Sequence, residues 1–567
     1  MMAGVAWLIA ANVAVLLGAQ ALLGRFRTGK SSLDLLLFLL FRITLISGIV
    51  LATGMIGHLR SLPLGLGGLI SSAILLLLGI RLRPGARTFI ATFGWGLTLV
   101  MVIVSARLLA QVWFFSPHLG DAVNYYLPKV AEWVQSGVFT REMGIHPHVT
   151  LPAGFELVAT WWVVFLHHDV LIEMAGVEFL LLGGVATYVM ARNLGLRERS
   201  ACGAALLYVM TPGIHLSATS GINDVAAAAM ILTTLAIVLE QVPSGLALLA
   251  FALGIGIKPT VGYAVPGIAL LYAWTRKGRP FPQGSPVAAR WAGGMGLVIG
   301  GYWYVRNLIW YGNPFYPVGS SQKALFPPPQ FGPKVASFLG NFHDLINVKI
   351  YDRHAYGALV DDSTGWGIVA FGCGLAALLS WAREDSRARR LAWAFGLSLM
   401  SELLLIIHDA WCLKYVFFFP AILAIAVARE CEQSRHLIPL VAIGFLIQFL
   451  STMLPYDLPL KSVSGLVGES WRDRSVLEDE SGIRTNEPIG FFGGIEGRAY
   501  LFYRPDFSRR LVYFRSTSAT ALKEEMAQSG VQVLFSVPAT EEQHAILTVV
   551  IQSGFLKPIG GSFYRKE

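Results

Sequence analysis

Charge is what this sequence has least of. Only 14% of its 567 residues are Asp, Glu, Lys or Arg and 54% are hydrophobic, against roughly 25% charged in an ordinary soluble domain. A soluble globule cannot hide that much apolar surface, so a conventional soluble enzyme is excluded. Cysteine is scarce too: Cys202, Cys373, Cys412 and Cys431 lie in or beside apolar segments with no CxxC spacing. That excludes a disulfide framework and a zinc ribbon and leaves the four as small packing residues. A glycine-rich phosphate loop is lacking, because Gly490, Gly493, Gly494 and Gly497 do not form GxGxxG between a strand and a helix, and no nucleotide site is expected there. No basic stretch precedes the first apolar run, residues 3–23, which is expected to be a retained helix and not a cleaved signal peptide.

What is present is a series of apolar runs of about 17–25 residues, each closed by Arg, Lys, Gly or Pro, long enough to cross a hydrocarbon core of about 30 Å. Such runs must be helical, since lipid satisfies no unpaired backbone group. The expected fold is mainly α: a polytopic transmembrane helix bundle of about 14 spans over residues 1–454, with a small C-terminal α/β domain over 455–567.

The net charge of +9 is spread in short clusters between apolar runs, not gathered on one face, so it marks topology and no nucleic-acid partner is expected. Cytoplasmic loops are enriched in Lys and Arg. Arg25, Arg27 and Lys30; Arg81, Arg83 and Arg87; Arg192, Arg197 and Arg199; Arg276, Lys277 and Arg279; Arg383, Arg387, Arg389 and Arg390; and Arg429 with Arg435 read as cytoplasmic turns. Alternation then puts the loops 116–151 and 306–362, the stretch His408 to Tyr415 and the whole tail on the extracytoplasmic side, in a multi-pass protein expected in a bacterial inner membrane. To keep parity, the short run 152–167, with Pro152, Glu156 and His167, is expected to be re-entrant or interfacial.

After about residue 460, strand-like runs (PIGFFGG, RRLVYFRS, VQVLFSVP, SFYR) alternate with the helix-like ALKEEMAQSG and TEEQHAILTVVIQSG. Alternation of this kind argues for an α/β layer domain acting as a lid or scaffold over the outer face.

The residues able to do chemistry collect on the expected outer side. In GDAVNYYLPKVAEWVQSG, Asp121 stands just beyond a membrane exit, and Tyr125, Val130, Trp133 and Val134 recur at helical spacing as the apolar face of an interfacial helix. Asp is also a preferred N-cap, which is the plainer reading of Asp121. Asp224 opens an apolar helix and Lys258 interrupts GIGIKPTVGY; ionisable residues at membrane depth are functional candidates. Arg306, with Asn307, sits at a further outward exit, where its fork suits a phosphate. His146 and His148 form an HxH that alone falls short of the three or more ligands zinc needs. His343, Asp344, Asp352, Arg353, His354, Asp361 and Asp362 read as a solvated loop, and His408, Asp409 and Lys414 as a charged hairpin tip between spans.

Taken in order, Asp121 with Tyr125, Pro128 and Trp133; Pro212 and Asn223–Asp224; Lys258–Pro259–Thr260; and Arg306–Asn307 with GNPFYP resemble the membrane glycosyltransferases of superfamily C, which include protein O-mannosyltransferases, the lipid A aminoarabinose transferase and oligosaccharyltransferases. The resemblance extends over most of residues 88–454. It implies transfer of a sugar from a polyprenyl-phosphate carrier to a lipid, glycan or protein acceptor outside the cytoplasm, within reach of membrane lipids. Asp121 matches the first-outer-loop acid, implied to be the catalytic base, and Asp224 a second acid that helps bind a divalent metal in some relatives. Lys258, Arg306 and Tyr125 are implied donor contacts. A single inverting displacement is the simplest scheme for one base and a phosphate leaving group. The sequence departs from many members in placing about four spans before the acid loop and in showing no clear metal set. Rival expectations are a secondary transporter or lipid-linked glycan flippase, since broken helices with embedded charges also mark transport paths, and a non-catalytic partner in polysaccharide assembly.

Overall fold

The computed structural model describes residues 2–26, 28–77, 95–114, 117, 120–141, 144, 146–276, 286–318, 366–367, 369–405, 413–453, 483, 486–493, 499–538 and 540–567. Arg27, Arg81, Arg83, Arg87, Lys277, Arg279, Cys412, Gly494, Gly497, His408, Asp409 and most of the 306–362 loop with its His and Asp residues lie outside the described residues.

The chain is mainly helical. In order come α1 (Met2–Leu23), α2 (Ser31–Met55), α3 (Ser61–Leu77), α4 (Trp95–Phe114), a π-helical turn Ala122–Tyr126 running into α5 (Leu127–Ser136), α6 (Gly154–Val164), α7 (Met174–Asn193), α8 (Glu198–Val209), α9 (Pro212–Ser217), α10 (Asp224–Leu239), α11 (Ser244–Ile257), α12 (Val265–Arg276) and α13 (Pro286–Tyr311). The bundle ends with α14 (Leu375–Glu384), α15 (Ser386–Leu405), α16 (Pro420–Gln433) and α17 (Ile438–Met453). Large apolar side chains such as Ile70, Ile74, Val102, Trp291, Val298, Ile309, Leu440 and Ile443 point outward from these helices, a surface only lipid can cover. The protein is an integral membrane protein.

The expected count of about 14 spans is not confirmed by the described helices. Among the described residues, three stretches, Met2–Leu23, Ser31–Met55 and Asp169–Asn193, are long and apolar enough to cross a membrane by length and composition. Proline shortens several of the other apolar runs. The run 200–216 breaks at Thr211–Pro212 into α8 and α9, and Pro259 ends α11, because a residue before proline is pushed out of helical conformation. The run 152–167 holds an 11-residue helix, α6, about 16 Å long and half of what a crossing needs.

Close helix packing then sets positions. Between α11 and α13, a Cβ on Gly300 would meet Ala252 O at 1.9 Å, and one on Gly256 would meet Gly300 Cα at 2.5 Å. Small residues of this kind let membrane helices touch backbone to backbone, and they fix α11, which ends at Lys258, against α13, which carries Arg306.

The tail is an α/β domain: β1 (Ile489–Gly493), β2 (Leu511–Tyr513), α18 (Ala519–Ser529), β3 (Val533–Val537), α19 (Glu541–Gln552), β4 (Leu556–Gly560) and β5 (Phe563–Lys566). Sheet order is β2-β1-β3-β5-β4, with β2, β1 and β3 parallel and β5 and β4 antiparallel. Both helices start on side-chain caps, Ser518 accepting from Ala521 N–H and Thr540 from Gln543 N–H. Strand β4 is missing from the strand-like runs of the sequence because Lys557 and Pro558 break the pattern.

The domain docks on the segment that follows Asp121. Gln135 Nε2 donates to Phe507 O at 2.8 Å and Arg509 O at 2.6 Å, Tyr503 donates to Glu132, and Arg515 Nη2 donates to Gly144 O at 2.8 Å. This corrects the interfacial helix. Residues 122–131 are buried all round, since the bundle covers one side and the tail the other, and even Lys129 is fully buried in an ion pair with Glu156 of α6.

Candidate functional site

Proline and glycine place the charged residues. Lys258 is driven into extended backbone (φ −150°, ψ 126°) by Pro259, so its side chain leaves the helix line, and Nζ meets Asp224 Oδ1 at 2.6 Å. Asp224 is the first residue of α10, behind Gly221 at φ +80°, a backbone angle that suits glycine. Asn223 Nδ2 donates to Ile257 O at 3.1 Å and ties the start of α10 to the end of α11. The second carboxylate oxygen of Asp224 is buried without a hydrogen-bond partner.

Asp121 does not cap its helix. Its backbone is already helical (φ −56°, ψ −43°) and its side chain makes no capping bond; instead Oδ2 lies 2.6 Å from Lys414 Nζ. Burial pushes this carboxyl up, but the Lys414 ammonium, with help from Lys258 and the Tyr125 hydroxyl, pulls it below the ordinary carboxylate range. Tyr125 and Tyr126 come from the π-helical turn, a widened turn frequent at functional sites. Burial is the main cause lifting both phenols well above the usual tyrosine value, and Asp121 adds to it.

The two carboxylate–lysine pairs form one cluster. Tyr415 lies between them, its ring 4.2 Å from Lys258 Nζ and 5.8 Å from Lys414 Nζ. Sequence reasoning put Asp121, Tyr125, Asp224 and Lys258 in one site, and the structure brings them together. It adds Lys414, Tyr415 and Tyr126. The available signal was a lysine at the edge of the apolar run VFFFP, which a hairpin tip explained as well.

Arg306 stands in a separate cluster. Its guanidinium packs between Trp303 (4.9 Å) and Trp310 (5.2 Å), bonds Asn307 Oδ1 at 2.7 Å and donates to Thr150 O. Asn307 Nδ2 reaches the same Thr150 O at 3.1 Å. Arg306 therefore holds the His146–Thr150 loop. That loop packs on Tyr125, whose ring centroid is 4.6 Å from His146 and 5.0 Å from His148.

A divalent metal does not fit these residues. Nδ1 of His146 is taken by the His148 N–H at 3.0 Å, and one oxygen of each of Asp121 and Asp224 is held by a lysine. Among the described residues no group of three or more His, Cys, Asp or Glu is arranged to hold a metal ion.

No family model matches the chain, and no curated protein matches it by sequence. Solved structures do. The crystal structure of ArnT from Cupriavidus metallidurans bound to undecaprenyl phosphate is 11% identical, and the match covers 82% of this chain and 97% of that one with a TM-score of 0.53. The Archaeoglobus fulgidus oligosaccharyltransferase in complex with zinc and sulfate is 12% identical over 82% of this chain and 73% of that one, TM-score 0.38. The oligosaccharyltransferase AglB of the same organism, with an inhibitory peptide and a dolichol-phosphate, is 12% identical over 83% and 74%, TM-score 0.36. On the strength of the first of these, the chain shares its overall fold with ArnT.

Proposed function

We propose that the protein transfers a sugar from a polyprenyl-phosphate carrier to an acceptor hydroxyl on the extracytoplasmic face, by one inverting displacement. The observation that carries this reading is the pair of carboxylate–lysine contacts, Asp121–Lys414 and Asp224–Lys258, joined across Tyr415. The shared fold with the undecaprenyl-phosphate-bound ArnT supports it.

The arrangement supplies both charges the reaction needs. The acceptor oxygen attacks the anomeric carbon, its proton passes to Asp121, and the carbon–oxygen bond to phosphate breaks with its electron pair leaving on the carrier. Lys258 and Lys414 neutralise that phosphate. Before the donor binds, each lysine rests on a carboxylate; the arriving phosphate competes for both ammonium groups, which frees Asp121 to take a proton. The unpartnered oxygen of Asp224 accepts a hydrogen bond from a hydroxyl of the bound sugar. Tyr125 helps Lys414 and Lys258 hold Asp121 below the ordinary carboxylate range, and Arg306 positions the loop behind Tyr125 without touching the phosphate.

The test is to incubate purified protein with a panel of polyprenyl-phosphate sugars and follow carrier release by mass spectrometry. Release with at least one donor, lost in the Lys258→Ala variant, supports the reading; no release with any donor and acceptor fraction contradicts it.

A secondary transporter is the second reading, and one observation favours it: Arg42, midway along α2, pairs with Glu178 of α7 (Nη2–Oε1 2.8 Å). Asn12 Oδ1 and Trp162 Nε1 join the same pair at 2.8 and 3.0 Å, a polar group inside the helix bundle of the kind that marks transport paths. Sugar or carrier flux in proteoliposomes without covalent transfer would favour transport.

A further inference from the structure

At the other end of the bundle the fold joins two basic clusters. The Arg197 N–H donates to Glu432 Oε2 at 3.0 Å across 235 residues of sequence, and Arg197 Nε lies 3.6 Å from Oε1. Helix α16 starts just after Lys414 and Tyr415, and its 14 residues put Glu432 about 20 Å from them. Here α8 and α16, flanked by α4 and α17, line an open groove of about 1540 Å³, beyond the 300–1,000 Å³ or so of sites for drug-sized ligands.

Its walls are apolar, with Leu206 and Leu207 from α8, Val427 from α16, and Val441 and Phe445 from α17. A Cβ on Gly203, which also lines it, would meet no atom within 4 Å, so α8 presents an open face. The rim is basic. Arg192, Arg197, Arg199 and Arg435 stand there with Glu198 and Glu432. Arg197 is committed to Glu432, while Arg199 and Arg435 make no ion pair among the described residues. Apolar walls long enough for chains, closed at one mouth by two uncommitted guanidiniums, match a lipid whose head carries a phosphate, the group that arginine forks bind best.

We propose that this groove is a binding site for an anionic diacyl phospholipid of the leaflet opposite the Asp121 site. Its acyl chains lie between α8 and α17, and Arg199 and Arg435 hold its phosphate. The site is independent of the transfer chemistry.

Native mass spectrometry of the full-length protein in detergent, titrated with dioleoyl phosphatidylglycerol or dioleoyl phosphatidylcholine, tests it. The two lipids share chains and differ in net charge. Phosphatidylglycerol is expected to bind more tightly, and the Arg199→Gln/Arg435→Gln double variant to lose about 25-fold of that preference, about five-fold for each arginine near an anionic lipid. Gly203→Leu, which fills the groove from a position with room for the side chain, should weaken both lipids alike. Equal binding of the two lipids, or an unchanged preference in the double variant, overturns the headgroup assignment. Undiminished binding to Gly203→Leu overturns the groove as the site, and displacement of phosphatidylglycerol by equimolar polyprenyl phosphate shows that the carrier, not a phospholipid, is the occupant.

Discussion

Lys414 Nζ lies 2.6 Å from Asp121 Oδ2, closing a gap of 293 residues in sequence. The contact decides the protonation state of Asp121. Its depressed pKa means that the stability from the ion pair is fully present above the ordinary value of 3.8 and is lost as pH falls through the folded-state value. Replacing Lys414 with Met removes the main stabiliser of the carboxylate, so the acid limb of the pH–rate profile should move to higher pH. The profile of kcat/KM for the variant checks this; a limb that stays in place means that Lys414 does not tune Asp121.

The second pair behaves differently because it is deeper, with Asp224 2% and Lys258 9% exposed. Lys258→Met strands a buried carboxylate and should cost about 3–5 kcal/mol. Adding Asp224→Asn should recover most of the loss, since removing both charges leaves nothing to desolvate. Thermal unfolding of the single and double variants in detergent gives the coupling. Additive losses would show that the two residues do not interact.

The tail's hold on the bundle runs through Tyr503 and Glu132. Burial raises the Glu132 carboxyl above its ordinary 4.5, so its contribution to docking is full below that pH and declines as pH rises through the folded-state value. Tyr503→Phe leaves the carboxyl without its donor and should weaken docking by about 1–3 kcal/mol. Hydrogen exchange should then quicken in residues 499–515 and stay unchanged in α7 and α10. Faster exchange throughout would mean global destabilisation instead.

Much of this was readable in the residues, and the misses have physical causes. Lys258 is legible because Pro259 ends an apolar run at a charge, and Asp121 because an acid directly follows a membrane exit. Lys414 was visible as a charge between two spans, but its partner is 293 residues away, and no local pattern encodes a contact of that range. Periodicity read residues 120–137 as an interfacial helix, yet Lys129 in that segment is fully buried against Glu156 of α6; a hydrophobic pattern cannot announce a second domain covering the polar side. The breaks within apolar runs escaped notice for a related reason. Hydropathy runs straight through Thr211–Pro212 and Lys258–Pro259, where the backbone turns. The tail's parallel strands were legible from alternation, and β4 was lost to Pro558.

The central claim is that Asp121 takes the acceptor's proton, and Asp121→Asn tests it most directly. Asparagine is nearly the same shape but cannot act as a carboxylate base. Single-turnover transfer by the purified variant, measured beside donor binding and thermal unfolding, should fall by about 100-fold to 10,000-fold, with the fold intact and the donor still bound. A variant that transfers sugar at a rate close to that of the parent protein would contradict the account and reduce Asp121 to a partner for Lys414.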